Sequence, residues 1–239
     1  MKMRTRYVVP TAVLSLALAG GAGVAGLTSS ASAQGKGTLV DPAGTRVTKV
    51  DSAKTASPVA RLIEKRVRAD LPGGHGLVKE TIYASDWNRN TPLPVDQVQN
   101  ATDWHGKFTL PGDRTHVIWT AVFIAPKGTN PTPEQSRAQC PEQPLPPGEV
   151  PFRCEVKVLP DGSHVTVNEF AVRGVYNLVV GHIRAHDRGV SVAEKVKAGS
   201  LAEARHKFRY SAAQLQRLAT DAALVIPEPQ VYPPLPTTP

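Results

Sequence analysis

Hydrophobic and polar residues alternate most regularly between residues 154 and 196, and this pattern predicts two consecutive β-hairpins. In the first hairpin, valines alternate with polar residues on both sides of the turn sequence PDGS at residues 160–163. The second hairpin turns at residues 187–189, where we expect Gly189 to supply the positive φ that a tight turn requires. The two hairpins provide four strands of an antiparallel sheet.

Two segments with helical periodicity flank the predicted strands. Ser57 and Pro58 have the residue types of an N-cap and a first helical position, and apolar residues then recur on one helical face as far as Leu71. The sequence SAAQ at residues 211–214 is a capping box, and it opens a second helix that we expect to extend to about Val225, before Pro227.

Three further strands complete the predicted sheet, at residues 76–84, 107–110 and 116–125. The last of these is apolar on both faces, as expected of a central strand that is covered on both sides. A run of strands with a helix at either end indicates an α+β fold. We therefore expect a single antiparallel sheet of about seven strands, with an N-terminal and a C-terminal helix packed on it.

The two ends of the chain differ in character from the predicted folded part. Residues 1–33 combine a basic start, a short apolar run and the sequence ASA, so we predict a signal peptide that is cleaved after Ala33. Residues 34–56 lack periodicity and are interpreted as a flexible leader to a single domain at residues 57–227. The proline-rich residues 228–239 are expected to form a polyproline-like, disordered tail.

Charge and cysteine content fit a secreted chain. Loss of residues 1–33 removes three basic residues and lowers the formal net charge from +8 to +5, which supports solubility but is a weak signal for nucleic-acid binding. We expect no membrane span after removal of the signal peptide. Cys140 and Cys154 are expected to form a disulfide in an oxidising compartment. That bond would close a proline-rich loop of about 15 residues and contribute roughly 3 kcal/mol.

Motifs for catalysis or metal binding are sparse. His182 and His186 would share one face of a helix, but in a strand they lie roughly 13 Å apart, too far for one metal ion. The sequence contains no nucleophile motif, phosphate-binding glycine loop or dinucleotide fingerprint. We therefore predict no catalytic, cofactor-binding or metal-binding residue. A basic cluster is interpreted as a solvated face, with contact to an anionic cell-wall polymer as the alternative, and it consists of Arg184, Arg188, Lys195, Lys197, Arg205, Lys207 and Arg209.

A repeated dipeptide is the one candidate ligand surface. Asp86-Trp87 and Asp103-Trp104 flank the same polar loop. Tryptophan beside acidic residues in a loop can provide a stacking surface for a sugar or a peptide. The alternative is that both indoles cover the sheet while each aspartate caps a turn.

Three stretches carry a resemblance to a known group of proteins: DGSHVTVNEF at 161–170, DRGVSV at 187–192 and SAAQLQRLATDAALVIP at 211–227. They resemble the outer domains of actinobacterial proteins of unknown activity, some freely secreted and some tethered to the membrane. The resemblance runs from Pro160 to Pro227 and covers about a third of the mature chain. A composition rich in alanine, valine, arginine and proline fits such a high-GC source, and the resemblance transfers no catalytic residue.

These features predict a secreted, non-catalytic binding module or a cell-envelope-associated module. Its partner would be a cell-wall polymer or a secreted protein, and not nucleic acid. Two alternatives stay open. One is a cell-envelope hydrolase with dispersed catalytic residues. The other is an inhibitor of a secreted peptidase that presents residues 145–150 of the disulfide-closed, proline-rich loop.

Overall fold

The computed structural model describes residues 39–40, 46–47, 57–88, 91–140 and 149–234. The predicted signal peptide lies outside these residues, as do most of the predicted leader, the loop at 141–148 and residues 235–239. A small ladder pairs β1 (Leu39–Val40) with β2 (Arg46–Val47).

Seven strands form one antiparallel sheet. Their bounds are β3 Val78–Ser85, β4 Asp103–Leu110, β5 Asp113–Ile124, β6 Glu149–Val158, β7 His164–Val172, β8 Val175–Ile183 and β9 Arg188–Lys197. The helices of the described part are α1 Pro58–Asp70, α2 Pro133–Ala138, α3 Leu201–Lys207 and α4 Ala212–Ala219. Short 3-10 turns lie at Gly74–Gly76 and Val95–Asn100. The predicted α+β fold with an antiparallel sheet of seven strands is confirmed.

The strand order β3-β4-β5-β9-β8-β7-β6 consists of two meanders joined along one seam. Neighbouring strands pair in the first meander, β3 to β5, and again in the second, β6 to β9. At the seam, β5 and β9 are antiparallel, with Ile118 opposite Glu194 and Trp119 opposite Ala193. Because directly paired residues project to the same side of a sheet, the register assigns every strand residue to one of two faces.

One face of the sheet carries the buried hydrophobic cluster to which residues of α1 and α4 belong, and we call it the helix face. Gly106 of β4 lies beneath α1, since a Cβ at this position would be only 3.2 Å from Cγ2 of Ile63. Ile63, Phe108, Ile118 and Leu215 belong to one buried hydrophobic cluster that joins helices and strands. Burial of apolar surface, at roughly 25 cal/mol per Å², makes this cluster the main source of stability.

A buried carboxylate fixes the chain that follows α3. Glu194 of β9 is fully buried on the helix face. Its carboxylate accepts hydrogen bonds from the backbone N–H groups of Arg209 and Tyr210, at 2.7 and 3.0 Å, and pairs with the His116 ring. Hydrogen bonds from these donors compensate for the hydration that the carboxylate loses on burial. The arrangement therefore holds residues 209–210 against the sheet.

Arg184, just after β8, fixes the end of α4. Its guanidinium donates to the carbonyl oxygens of Ala219, Asp221 and Leu224, at distances of 2.8–3.0 Å. The last carbonyls of a helix have no partner within the helix, and a cation there also complements the helix dipole. The sheet therefore helps to determine where α4 stops, which is at Ala219 and not at about Val225 as the sequence predicted.

The turn between β8 and β9 differs from the sequence prediction. His186 and Asp187 adopt positive φ values of 58° and 57°, whereas Gly189 already lies within β9. A Cβ at Gly189 would lie 2.2 Å from the ring of Phe123. Gly189 thus allows the close approach of that ring, and the prediction that it supplies the positive φ of the turn is wrong.

The predicted disulfide between Cys140 and Cys154 is confirmed, with 5.5 Å between the Cα atoms. Helix α2 directly precedes Cys140 and begins with a capping box. The Ser136 hydroxyl of α2 lies 2.8 Å from Nε2 of His164 in β7, and both side chains are buried. The disulfide and this hydrogen bond together hold α2 against the second meander.

Candidate functional site

The structure places the two tryptophans of the Asp-Trp repeat in different surroundings. Trp104 lies within β4, only 5% exposed, and belongs to the hydrophobic cluster of the helix face. Trp87 follows β3, is half-buried and stacks on Tyr232, with 5.7 Å between ring centroids and 20° between ring planes. The two indoles therefore do not share one surface.

The two aspartates of the repeat do come close together. The Thr102 hydroxyl donates to Oδ2 of Asp103 at 2.8 Å and accepts a hydrogen bond from the backbone N–H of Trp87 at 3.0 Å. Asp103 is 2% exposed, and Asp86 beside it is also buried. Burial raises the pKa of Asp103 to about 7, the hydrogen bond from Thr102 opposes this, and the charge of Asp86 adds to it.

Asp103 is the first residue of β4 and lies on the side of the sheet opposite the helix face. We call this side the polar face. The polar face is defined here by Tyr83, Ser85, Asp103, His105, Lys107, Trp119 and Lys195. These residues alternate along their strands with members of the buried cluster. Because successive side chains of a strand point to opposite sides of the sheet, the residues of the buried cluster lie on the helix face and these residues lie on the polar face.

His105 is enclosed by two larger rings on the polar face. Its ring centroid lies 5.1 Å from that of Tyr83 and 5.5 Å from that of Trp119. Its Nε2 atom is 2.9 Å from the Ser85 hydroxyl, whereas buried Nδ1 has no hydrogen-bond partner among the described residues. Burial lowers the pKa of His105 to about 4, so the ring is neutral at pH 7.

Lys195 lies beside the same aromatic group. Its Nζ atom is 5.7 Å from the centroid of the Trp119 ring, within the range of a cation–π interaction. Burial, with the charge of Lys107 added, lowers the pKa of Lys195 to about 8. The lysine is only 7% exposed, so the interpretation of this member of the basic cluster as solvated is wrong.

The accessible part of the polar face includes two rings and a row of small residues. Tyr83 and Trp119 are half-buried, and their centroids lie 6.3 Å apart. Ala121, Ser191 and Gly181 pair in one row across β5, β9 and β8, beside the two rings. A ligand can therefore lie along the row of small residues and contact both rings, with the buried polar groups beneath them.

Ser85, His105 and Asp103 have the residue types of a nucleophilic triad, but their geometry differs from one. Ser85 is completely buried, so no substrate reaches its hydroxyl without movement of β3. The Nδ1 atom of His105, which a triad carboxylate would orient, lacks a partner in the described part of the chain. The cluster thus resembles a buried polar support more than an exposed reaction centre.

The histidines that the sequence raised as metal ligands have other roles. His182 is buried, and its Nε2 atom lies 2.9 Å from the Ser163 hydroxyl. His186 lies in the turn before β9. Within the described ranges, no three His, Cys, Asp or Glu side chains are grouped so that they could bind a metal ion. None of the helices in these ranges has the length and apolar character to cross a membrane.

The polar face was missed from the sequence because β4 begins at Asp103 and not at Lys107. With that start, Asp103, His105 and Lys107 alternate with Trp104 and its apolar neighbours, which is the period of a strand with two different faces. The alternating pattern of a strand with two different faces was therefore present in the sequence at residues 103–108.

A comparison of the chain with protein-family models finds no match, and a comparison with curated proteins also finds none. The geometry of the polar face therefore carries the functional argument.

Proposed function

We propose that the protein is a secreted, non-catalytic binding module that holds an anionic cell-wall polymer against the polar face. One observation carries the proposal: the half-buried rings of Tyr83 and Trp119 lie together with the Lys195 ammonium beside one of them. Aromatic rings offer large, rigid contact surfaces for sugar rings. A cation in a partly desolvated site attracts the anionic groups of such a polymer.

Secretion and the actinobacterial resemblance belong to the same proposal. The signal-peptide pattern at residues 1–33 and the Cys140–Cys154 disulfide both support an oxidising, extracytoplasmic location. In that location a cell-wall polymer is an abundant anionic ligand.

We further propose that the N-terminal and C-terminal helices form a permanent cover of one face, which leaves the other face for the ligand. Ile63 of α1 and Leu215 of α4 are both fully buried in the cluster that also contains Phe108.

The test is a titration of the mature chain, residues 34–239, with soluble anionic cell-wall fragments, followed by tryptophan fluorescence. We expect saturable binding that weakens at high salt, because screening reduces the contribution of Lys195. Trp119→Leu and Lys195→Met should each weaken binding about tenfold, since each removes roughly 1.4 kcal/mol of contact. Trp87→Phe is the matched control on another surface and should bind as the wild type does. Equal binding by all three variants would contradict the proposal.

A hydrolase is the second candidate, and one observation favours it. The Ser85–His105 contact of 2.9 Å lies beside Asp103, whose pKa of about 7 suits proton transfer at neutral pH. This function requires Ser85 to become exposed. Release of soluble products from cell-wall fragments by the wild type, lost in Ser85→Ala, would establish the hydrolase in place of the binding module.

Inhibition of a secreted peptidase stays a prediction. Most of the segment at 145–150 lies outside the described residues, so the structure adds no observation in favour of that function.

A further inference from the structure

The proline-rich tail, expected to be disordered, is attached to the fold in its described part. Residues 228–234 run back along the loop between β3 and β4. The backbone N–H of Gln230 donates to the carbonyl oxygen of Gln99, and that of Val231 donates to Oδ1 of Asn100, each at 3.1 Å. These contacts join segments more than a hundred residues apart in the chain, as the separation of 131 for the second contact shows.

Two side chains of the loop converge on a single carbonyl group of the tail. Trp87 donates from Nε1 and Asn88 donates from Nδ2 to the carbonyl oxygen of Pro234, at 3.2 and 2.7 Å. The Trp87 ring also stacks on Tyr232, two residues earlier in the tail. One tail segment is thus held by two donors and one aromatic face.

Arg188 holds the start of the tail through two contacts. The Arg188 guanidinium donates to the carbonyl oxygen of Ile226 at 2.6 Å and pairs with Glu228. The Glu228 carboxylate in turn accepts a hydrogen bond from the hydroxyl of Tyr232. This positions the Tyr232 ring for its contact with Trp87.

The chemistry of these contacts is that of polyproline recognition. A polyproline II segment has no internal hydrogen bonds, so its carbonyl groups are free to accept from side chains. It is also stiff, which reduces the entropy lost on binding, and proteins recognise it with aromatic side chains. Trp87 and Asn88 provide both the ring and the donors, and the tail sequence IPEPQVYPP at 226–234 contains four prolines.

We propose that Trp87 and Asn88 form a binding site for proline-rich segments of other polypeptides, and that the chain's own tail occupies this site. The ligand class is a polyproline II segment with an aromatic residue directly before two prolines, as in Tyr232-Pro233-Pro234. A tethered tail competes at an effective concentration in the millimolar range. Free ligand therefore enters when the tail is released or weakened. This site is independent of the ligand proposed for the polar face.

The experiment uses the full mature chain and a dye-labelled peptide of sequence IPEPQVYPP, with binding followed by fluorescence anisotropy. The tail is weakened by Tyr232→Ala combined with Pro233→Gly and Pro234→Gly, which removes the stacked ring and the stiff backbone. We expect saturable peptide binding to this variant, and binding at least about tenfold weaker to the wild type, because its intact tail competes. Tyr232→Ala alone should give the same result with a smaller difference, so the test does not depend on the triple variant.

Two amide-to-acid substitutions, made in the weakened-tail chain, separate a specific site from nonspecific adhesion. Asn88→Asp removes the donor and places a negative charge beside a carbonyl oxygen, so peptide affinity should fall about tenfold. Gln97→Glu is the matched control, because the Gln97 side chain is exposed in the same loop and makes no hydrogen bond to the tail among the described residues. It should leave affinity within about twofold of the parent variant.

Three results would overturn the proposal. The first is the absence of saturable binding to both weakened-tail variants while their circular dichroism matches the wild type. The second is equal binding after Asn88→Asp. The third is equal binding of a peptide in which all the prolines are alanines, since that ligand lacks the polyproline conformation.

Discussion

The buried polar groups on the two faces of the sheet differ in their hydrogen-bond partners. On the helix face, Glu194 accepts from two backbone N–H groups and pairs with His116. On the polar face, Asp103 has a hydroxyl donor and an acidic neighbour, and the Nδ1 atom of His105 has no partner among the described residues. Glu194 lies on β9 and His116 on β5, whereas Asp103 and His105 lie on β4 of the same sheet.

This comparison separates structural polar groups from functional candidates. A buried charge with a full set of partners mainly fixes the position of a neighbouring segment. A buried group without such partners has a shifted pKa, because nothing compensates for its loss of hydration. Shifted groups beside half-buried rings are where a ligand site is expected. On this criterion we propose the ligand site on the polar face.

The largest effect is expected at Glu194. In Glu194→Gln an amide N–H group would face donors, so we expect a loss of about 3–4 kcal/mol in the free energy of unfolding. Urea unfolding followed by circular dichroism measures this change. Glu155→Gln is the matched control: Glu155 pairs with Arg153 at an exposed position, and the change should be under about 1 kcal/mol. Similar losses in the free energy of unfolding of both variants would contradict the claim that the hydrogen bonds of Glu194 contribute more to stability than an exposed ion pair does.

The next effect concerns pH on the polar face, where two groups act with opposite signs. Asp103 has a pKa of about 7 in the fold against 3.8 for a free aspartate, so its contribution to stability is lost as the pH rises from about 4 to 7. His105 has a pKa of about 4 against 6.5, so its contribution is lost as the pH falls from about 6.5 to 4. The two contributions largely offset each other in the wild type.

Single variants separate the two contributions. Asp103→Asn should become less stable on acidification from pH 7 to 4, and His105→Gln should become more stable over the same range. Each change should be on the order of 2–3 kcal/mol. Urea unfolding at several pH values between 4 and 7 tests this, with the wild type as the reference. Parallel curves for the two variants would show that these groups do not titrate as described.

The smallest effect compares one glycine from each face. In Gly106→Ala the new methyl group would lie 2.6 Å from Oγ1 of Thr120 and 3.2 Å from Ile63, so the helix face must shift, at a cost of about 2 kcal/mol. In Gly181→Ala the methyl group meets only Oγ1 of Thr166, at 2.8 Å, within the described residues. A half-exposed threonine can rotate away, so the loss should be under about 1 kcal/mol. Thermal unfolding of both variants gives the comparison, which fails if Gly181→Ala is the less stable.

Local pattern was sufficient for much of the fold. Alternation around residues 160–163 predicts the pairing of β6 with β7, and the structure has it with Val156 opposite Thr166. The disulfide followed from cysteine count and compartment. Both features depend on residues close together in sequence, where pattern is most informative.

The candidate sites depend on contacts that local pattern cannot supply. Lys195 meets Trp119 only because β9 pairs with β5, and no feature of either strand specifies that partner. The tail has a composition typical of disorder, yet Asn88 holds Pro234 across a separation of 146 residues. Both contacts therefore depend on hydrogen bonds between segments that are far apart in the sequence.

The seam between β5 and β9 also sets an order of events during synthesis. Hairpins within each meander join neighbouring strands and can form quickly. The seam must close a loop that contains all of β6, β7 and β8, and such non-local closure is slow. Until residues 188–197 emerge, β5 is an open edge with apolar residues on both faces. We expect the lifetime of that nascent edge, more than the strength of the finished sheet, to limit the yield of native protein against aggregation.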